Sequence, residues 1–362
     1  MDRPRTIDAW WRGPTISTLT CRGVWVWSLV LFGVVLINIP SAEAKRPSVV
    51  PESKGKSAAP TTGPAEHVIL IVLEGVGRDG LKAGPMPTLS RLVREGSVTW
   101  SASAVLPALR LPTMASLLTG LPVEKHGVTW DSFDFARGYP RPPTIFDYLD
   151  LSGGRDSAIF FMDESLYQLA RPEPYTDYQM CGPLKPECSP ATVVNYIRDY
   201  FRKATSGDGH GHAILSLPHF LVVHLPEPGR VGTASGWDSR AYRDALRSVD
   251  TAMGSILGLY RELELLEWTT VLVTALSSDR AAKPGGNGAG LPHVPWIAWG
   301  AGIKAGHVIG QPVSILDTGA TVMRALGLET YTEWDSRAVE EIFSTPKPAL
   351  SGRVVQGDRE TR

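Results

Sequence analysis

The chain has 362 residues, which allows one large domain or two small ones, and 43% of them are hydrophobic, which is ample for a packed core. Positive and negative side chains almost balance, with a net charge of -1. The chain lacks the excess of basic residues that is typical of nucleic-acid-binding proteins, so we expect no nucleic-acid partner. No motif identifies a protein partner.

The amino-terminal region carries an export pattern. Residues 24–39 form an uncharged apolar run, and small residues at positions 42–44 follow it at the spacing of a cleavage site. Four arginines precede the run: Arg3, Arg5, Arg12 and Arg22. We therefore predict that residues 1–44 are an export signal or a membrane anchor. The run is shorter than the roughly 20 residues of a spanning helix, which favours a cleaved signal. If the run is retained, we expect it to be the chain's membrane contact.

Two further segments have the composition of flexible chain. Residues 45–66 are rich in Pro, Ser, Lys and Gly, which predicts a disordered linker, and we expect a flexible tail at residues 346–362. Cys181 and Cys188 lie close together in a Pro/Gly-rich loop. An even pair in an exported protein predicts a disulfide, and the absence of nearby histidines argues against a zinc site.

The first predicted strand organises the domain. Residues 67–73 are almost purely apolar and β-rich, which indicates a strand buried on both faces in the middle of a parallel sheet. Glu74 follows it directly. Ligands of open α/β sheets bind beyond the carboxyl ends of such strands, so Glu74 is a candidate site residue. Residues 75–80 fit a dinucleotide fingerprint only formally. Pro85 and Pro87 delay the next helix, so we predict a glycine loop there.

Helical and strand patterns alternate along the rest of the chain. We predict helices or amphipathic segments at residues 87–95, 112–119, 144–151, 191–203, 240–265 and 314–326. Predicted strands lie at residues 97–105, 158–162, 219–225, 269–275 and 294–299. This alternation predicts an α/β fold with a mostly parallel central sheet that helices cover on both faces.

Several motifs, in the same order along the chain, resemble the alkaline-phosphatase superfamily. They lie at residues 68–75, 87–96, 117–122, 126–127, 143–147, 294–306 and 317–328. The type I phosphodiesterase/nucleotide pyrophosphatases and the sulfatases are the most similar branches. The resemblance implies one alkaline-phosphatase-like α/β domain over residues 67–345. It also implies hydrolysis of phosphate or sulfate esters. The phosphatase and phosphodiesterase branches use two divalent metals, typically zinc, held by Asp and His around a Thr or Ser nucleophile.

The catalytic positions that the resemblance implies are mostly replaced. Glu74 stands where the family has its first metal-ligand Asp. Arg110, two residues before a proline, stands where the nucleophile belongs, and an arginine cannot be one because it stays protonated. Thr113 lies near the position of a substrate-binding Asn. In residues 227–233, Gly229 and Thr233 replace two further ligands.

The remaining ligand positions follow the same trend. Leu276 and Ser277 stand where the family has Asp-His, and Asn287 corresponds to a late His. A shifted alignment would bring in His293 instead. His224, at the end of a predicted strand, is the other histidine that could have survived at the site.

The resemblance therefore implies a degenerate site, for which we expect no metal cofactor. We predict that Arg110 forms an ion pair with Glu74, because a buried carboxylate without metals needs a counter-charge. An alternative use of Arg110 is to bind an anionic ligand through a phosphate or sulfate group. Two functional classes stay open. One is an exported protein that binds or assembles without catalysis. The other is a hydrolase rebuilt around Glu74, His224 and His293.

Overall fold

A computed structural model describes residues 63–152, 155–169, 176–180, 188–206, 217–278 and 292–344. All of them lie in one of the two compact units of the chain, Ala58–Arg362. The predicted signal or anchor, most of the predicted linker and the predicted tail lie outside the described residues. So do Cys181 and Asn287. The predicted disulfide therefore stays a prediction.

The described residues form one eight-stranded sheet. Its strands are β1 (His67–Leu73), β2 (Ser97–Ser103), β3 (Ser157–Phe161), β4 (Thr176–Met180), β5 (Phe220–Leu225), β6 (Thr269–Ala275), β7 (His293–Gly300) and β8 (His307–Val308). Their order across the sheet is β4-β3-β5-β1-β6-β7-β2-β8. Every neighbouring pair is parallel except the two that involve β7, which is antiparallel to both β6 and β2. The predicted mostly parallel sheet is confirmed.

The helices of the described residues flank this sheet. They are α1 (Arg78–Ala83), α2 (Pro87–Glu95), α3 (Arg110–Thr119), α4 (Val123–His126), α5 (Ile145–Leu151), α6 (Pro190–Ser206), α7 (Glu227–Ser235), α8 (Arg240–Glu262) and α9 (Asp317–Ala325). None of the helices in the described part of the chain is both long and apolar enough to cross a membrane.

Strand β1 occupies the centre of the sheet between β5 and β6, and all seven of its residues are buried. A strand that is apolar along its whole length avoids exposing either face to water only in such a position. Because neighbouring strands flank β1 on both sides, the residue after its carboxyl end lies inside the folded domain. Glu74, one residue further on, is consequently 7% exposed.

The sequence analysis did not predict the short helices α1, α4 and α7 or the strands β4 and β8. We predicted a glycine loop before Pro87, but Arg78–Ala83 is helical, with an extended Gly84 ending it before the prolines. The segment Glu227–Ser235, treated as a motif without secondary structure, is also a helix, and it begins immediately after β5 with a proline in its first turn. A proline is tolerated there because the first helical N–H groups have no intrahelical acceptor.

A buried carboxylate links α8 to the start of α2. The residue before α2, Met86, offers no side-chain cap, so the first N–H groups of that helix need an outside acceptor. Asp250, which is 3% exposed, provides this acceptor with both oxygens of its carboxylate. It accepts from Thr88 N at 3.0 Å and from Leu89 N at 2.8 Å.

We predict that Asp250→Ala lowers the free energy of unfolding by about 2–4 kcal/mol, because two buried N–H groups lose a charged acceptor. Urea-induced unfolding measures this change. The control is Asp199→Ala on α6, whose exposed side chain lies 3.8 Å from Arg202. Such a surface pair contributes about 0.5 kcal/mol or less. Equal losses in the two variants would show that Asp250 has no capping role.

Candidate functional site

The carboxyl ends of four adjacent strands converge at Glu74. Glu74 follows β1, and the register that pairs Val72 with His224 brings β5 beside it. Asp163 follows β3, and Leu276 with Ser277 follows β6 on the other side. The site therefore occupies the edge of the sheet at which the sequence predicts ligand binding.

Arg110 and Glu74 form a two-point ion pair. Arg110 Nε donates to Glu74 Oε1 at 2.6 Å, and Nη2 donates to Oε2 at 3.0 Å. The predicted ion pair is thus confirmed. Both oxygens of the carboxylate are engaged, which makes this the strongest class of protein hydrogen bond.

Arg110 is held in place because it begins a helix with no exposed face. Nine consecutive residues of α3 after Arg110 are buried. The helix has no side-chain cap at Leu109, and Asp131 Oδ1 instead accepts from Leu111 N at 2.7 Å. The backbone of Arg110 is therefore fixed from both the core and the loop above it.

Two more side chains complete the cluster. His224, fully buried, lies with Nε2 at 2.9 Å from Glu74 Oε1. Since a carboxylate only accepts, Nε2 carries the proton. Asp163 Oδ2 accepts from Arg110 Nη1 at 2.8 Å, while its other oxygen accepts from the backbone and hydroxyl of Ser165. Three carboxylates (Glu74, Asp163 and Asp131) thus surround a single guanidinium.

The protonation behaviour of the cluster follows from these contacts. Burial alone would raise the pKa of Glu74, but hydrogen bonds from His224 and Arg110 outweigh it and lower the pKa to about 2. Burial would lower the pKa of Arg110, yet Glu74 and the charges of Asp163 and Asp131 raise it. Partial burial and the two neighbouring carboxylates raise the pKa of Asp131. Glu74 and Arg110 are therefore both charged at neutral pH.

At the described positions where the resemblance implies further ligands, the chain has no carboxylate or imidazole side chain: Gly229, Thr233, Leu276 and Ser277. Gly229, in α7, packs so closely that a Cβ added to it would lie 2.9 Å from Glu74 Cβ. Gly75 has φ +66°, and its N–H reaches Ser277 O at 2.9 Å and Ser277 Oγ at 3.1 Å. Leu276 is 4% exposed and apolar. The turn after β1 is consequently held by the hydrogen bonds of Gly75 to Ser277 and by the close packing of Gly229, which leaves no space for a ligand side chain.

The remaining predicted residues lie apart from the cluster. Thr113 is fully buried inside α3 and its hydroxyl has no partner within the described residues. Thr233 is exposed on α7. His293 is exposed at the start of β7, and its side chain makes no hydrogen bond with any described residue. The structure therefore joins Glu74, Arg110 and His224 but not Thr113, Thr233 or His293.

The described side chains around Glu74 do not fit a two-metal centre. Arg110 already occupies both oxygens of Glu74, and Gly229 leaves no room for a side chain beside it. Over the described ranges, no group of three or more His, Cys, Asp or Glu side chains is placed to hold a metal ion. A guanidinium occupies the position where a cation would need the same carboxylate oxygens.

The sequence missed two members of the cluster. Asp163 directly follows the predicted strand at residues 158–162, so the rule that singled out Glu74 applied to it equally. Asp131 lies in a loop between two helices, and nothing in its neighbours indicates that it would cap α3. The first residue carried a usable signal, and the second did not.

Comparison with known proteins identifies the family. Residues 68–275 match the family model described as type I phosphodiesterase / nucleotide pyrophosphatase. The chain is also 32% identical over 130 residues to N-acetylgalactosamine-6-sulfatase of Sus scrofa, which covers 32% of this chain. It spans only 24% of the length of that relative.

Solved structures agree on the fold. Human ectonucleotide pyrophosphatase / phosphodiesterase 5 has a TM-score of 0.60 at 12% identity, covering 77% of this chain and 100% of that chain. The phosphonate monoester hydrolase from Silicibacter pomeroyi has a TM-score of 0.52 at 14% identity, covering 79% and 78%. Identities this low establish a shared fold alone. The family match spans more than half of the sequence, and the chain belongs to the type I phosphodiesterase / nucleotide pyrophosphatase family of the alkaline-phosphatase superfamily.

Proposed function

We propose that this protein has lost metal-dependent ester hydrolysis and acts in binding or assembly. The observation that carries the proposal is the two-point ion pair between Arg110 and Glu74. Hydrolysis by two metals needs free carboxylate and imidazole donors and a hydroxyl nucleophile. Here the carboxylate is engaged by an arginine that itself stands at the position of the nucleophile.

A hydrolase rebuilt around Glu74, His224 and His293 finds little support in the geometry. His224 has no exposed surface, so a substrate cannot touch it without a rearrangement of the strand ends. No hydrogen bond connects His293 to Glu74 or to Arg110 among the described residues. General acid–base catalysis requires a group within hydrogen-bond reach of the reacting atoms. We therefore retain hydrolysis only as the outcome that contradicts the proposal.

An anionic ligand at Arg110 stays a prediction, and the surrounding charges oppose it. Three of the five N–H groups of Arg110 already donate to carboxylate oxygens. A phosphate or sulfate approaching the other two would face Glu74, Asp163 and Asp131 together. Like charges at such distances repel, so the proposed binding role does not depend on Arg110.

We also propose that the protein works outside the cytoplasm. The arginine-flanked apolar run at residues 24–39, the small residues at positions 42–44 and the spacing of Cys181 and Cys188 support export. Whether the run is cleaved or retained as an anchor stays open, and the protein partner is unidentified.

Arg110 has a structural task in this scheme. Without its guanidinium, Glu74 would be a charge that is 7% exposed, with the imidazole of His224 as its remaining side-chain partner among the described residues. Removing one partner of a buried ion pair destabilises a protein by more than the intact pair stabilises it. The remaining charge is still desolvated, and no opposite charge offsets that cost. The arginine thus stabilises the turn after β1.

Loss of metal-dependent hydrolysis predicts the metal content and the activity of the purified protein. We expect purified protein to contain far less than one equivalent of zinc, and to hydrolyse none of three model esters above the buffer rate. The esters are p-nitrophenyl phosphate, bis-p-nitrophenyl phosphate and p-nitrocatechol sulfate. Elemental analysis and absorbance assays measure both quantities, with an active metal-dependent phosphodiesterase run in parallel. Bound zinc near two equivalents together with turnover would refute the proposal.

The ion pair between Arg110 and Glu74 predicts how its variants change the stability of the protein. We expect Arg110→Ala to lower the free energy of unfolding by about 3–5 kcal/mol, and the double variant with Glu74→Gln to lose clearly less. Chemical denaturation of both singles and the double gives the coupling energy. Arg110→Lys keeps the positive charge but loses the two-point hydrogen bonding of the guanidinium. Its free energy of unfolding should lie between those of the wild type and Arg110→Ala. The control is Arg137→Ala, whose exposed partner Asp134 lies 2.9 Å away. A coupling below about 0.5 kcal/mol would mean that the two groups act independently.

The lowered pKa of Glu74 predicts how the stability of the protein depends on pH. Folding lowers the pKa of Glu74 from 4.5 to about 2, so the stabilisation is complete above pH 4.5 and is lost as the pH falls toward 2. Above pH 4.5, we expect the free energy of unfolding of the wild type to exceed that of Glu74→Gln by about 3 kcal/mol. Near pH 2, we expect the two free energies to converge. Denaturation at a series of pH values measures the difference. Parallel curves over that range would contradict it.

A further inference from the structure

A second candidate binding site lies between helices α6 and α8. The structure has a cavity of about 450 Å³ there, which is open to solvent and lined mostly by exposed residues. Its volume is within the range of small-molecule sites. The described residues that line the cavity belong to these two helices, and its polar lining includes Asn195, Arg198, Asp244, Arg247, Thr251 and Ser255. No residue of the Glu74 cluster takes part, so the cavity is separate from the site described above.

The cavity has an excess of positive charge, contributed from both walls. Arg247 on α8 donates from Nη1 to Asp244 Oδ1 at 2.6 Å. Arg198 on α6 donates from Nη1 to Asn195 Oδ1 at 2.9 Å and has no ion pair with a described carboxylate. Among the side chains that line the cavity there are therefore two guanidiniums and one carboxylate. An anionic group is favoured here, in contrast to the Glu74 cluster, where carboxylates outnumber the cation.

The neutral polar groups of the lining divide into donors and acceptors. Thr251 Oγ1 donates to Arg247 O at 2.8 Å and Ser255 Oγ donates to Thr251 O at 2.9 Å. Each hydroxyl has used its single proton, so toward the cavity it offers lone pairs. The amide oxygen of Asn195 is taken by Arg198, which leaves its NH₂ group as a donor. Acceptors are thus available for ligand hydroxyls, beside donors for an anion.

We propose that this cavity binds a small polyhydroxylated compound that carries one anionic group, such as a hexose phosphate, a hexose sulfate or a hexuronate. The anion would pair with Arg198 and Arg247, and the hydroxyls would donate to Thr251 and Ser255. Ala191, Val194 and Ala252 supply apolar surface for the carbon skeleton. A purely apolar ligand would desolvate both guanidiniums without a partner, and a cation would be repelled. The inference rests on the proposed function, because it names what a non-hydrolytic member could bind.

Titration calorimetry of the full chain tests this with a panel of hexose phosphates, hexose sulfates and hexuronates, together with glucose and inorganic phosphate. We expect at least one anionic sugar to bind at least tenfold more tightly than either glucose or phosphate. The double variant Arg198→Gln/Arg247→Gln should weaken that binding by at least tenfold, about 1.4 kcal/mol. Ala191→Trp, which fills the cavity without changing its charge, should do the same.

The matched control is Arg202→Gln/Arg261→Gln, which removes the same charge from the same two helices outside the cavity. It should change the affinity by less than twofold. Absence of binding across the panel, equal affinity for inorganic phosphate, or equal losses in the two double variants would overturn the proposal. Chromatography of the sugar ester after each titration separates this result from the proposed function. Cleavage of the ester would contradict loss of hydrolysis, while the binding data would still decide whether the cavity is a site.

Discussion

The structure at the sheet edge depends on the need of one buried carboxylate for a permanent counter-charge. Strand β1 is apolar and central, so the residue that follows it cannot escape to solvent, and Glu74 stays charged only because Arg110 and His224 bond to it. A guanidinium suits this task because it remains protonated and its two N–H groups match the two oxygens. The arrangement of Asp163, Asp131 and α3 around Arg110 follows from keeping that guanidinium in place.

The same requirement explains the glycines around the turn. Gly229 and Gly75 approach so closely that a side chain on either would overlap the other or Glu74. A ligand side chain at position 229 is thus excluded by the very packing that closes the cluster. The replacements are mutually consistent: where the resemblance implies cations and their ligands, this chain has an organic cation and a contracted backbone. Shared fold does not carry shared chemistry when the site has been rebuilt in this way.

Sequence reasoning succeeded where one physical cause dominates. Strands β1 and β6 and helix α2 have the predicted bounds because a continuous apolar run or a Pro-to-Gly frame fixes them. The ion pair was predictable because charge neutrality left Glu74 few other partners. Helices α1 and α7 were missed because each is short and glycine-containing, and tertiary packing rather than propensity maintains it. Asp131 was beyond prediction, since its role depends on a loop whose path the sequence does not specify.

Charge distribution divides the molecule into two different environments for a ligand. At the carboxyl ends of β3, β5 and β1, three carboxylates outnumber one arginine whose donors are largely used. Between α6 and α8, the side chains that line a cavity include one carboxylate and two arginines with unused N–H groups. The resemblance implies an anionic substrate at the sheet edge, but the charges of the cavity between α6 and α8 favour an anion more strongly. In the proposed function, replacement of the cations at the sheet edge removes both the catalyst and the attraction for a negatively charged substrate, and the affinity for anions that we propose comes from the cavity between α6 and α8.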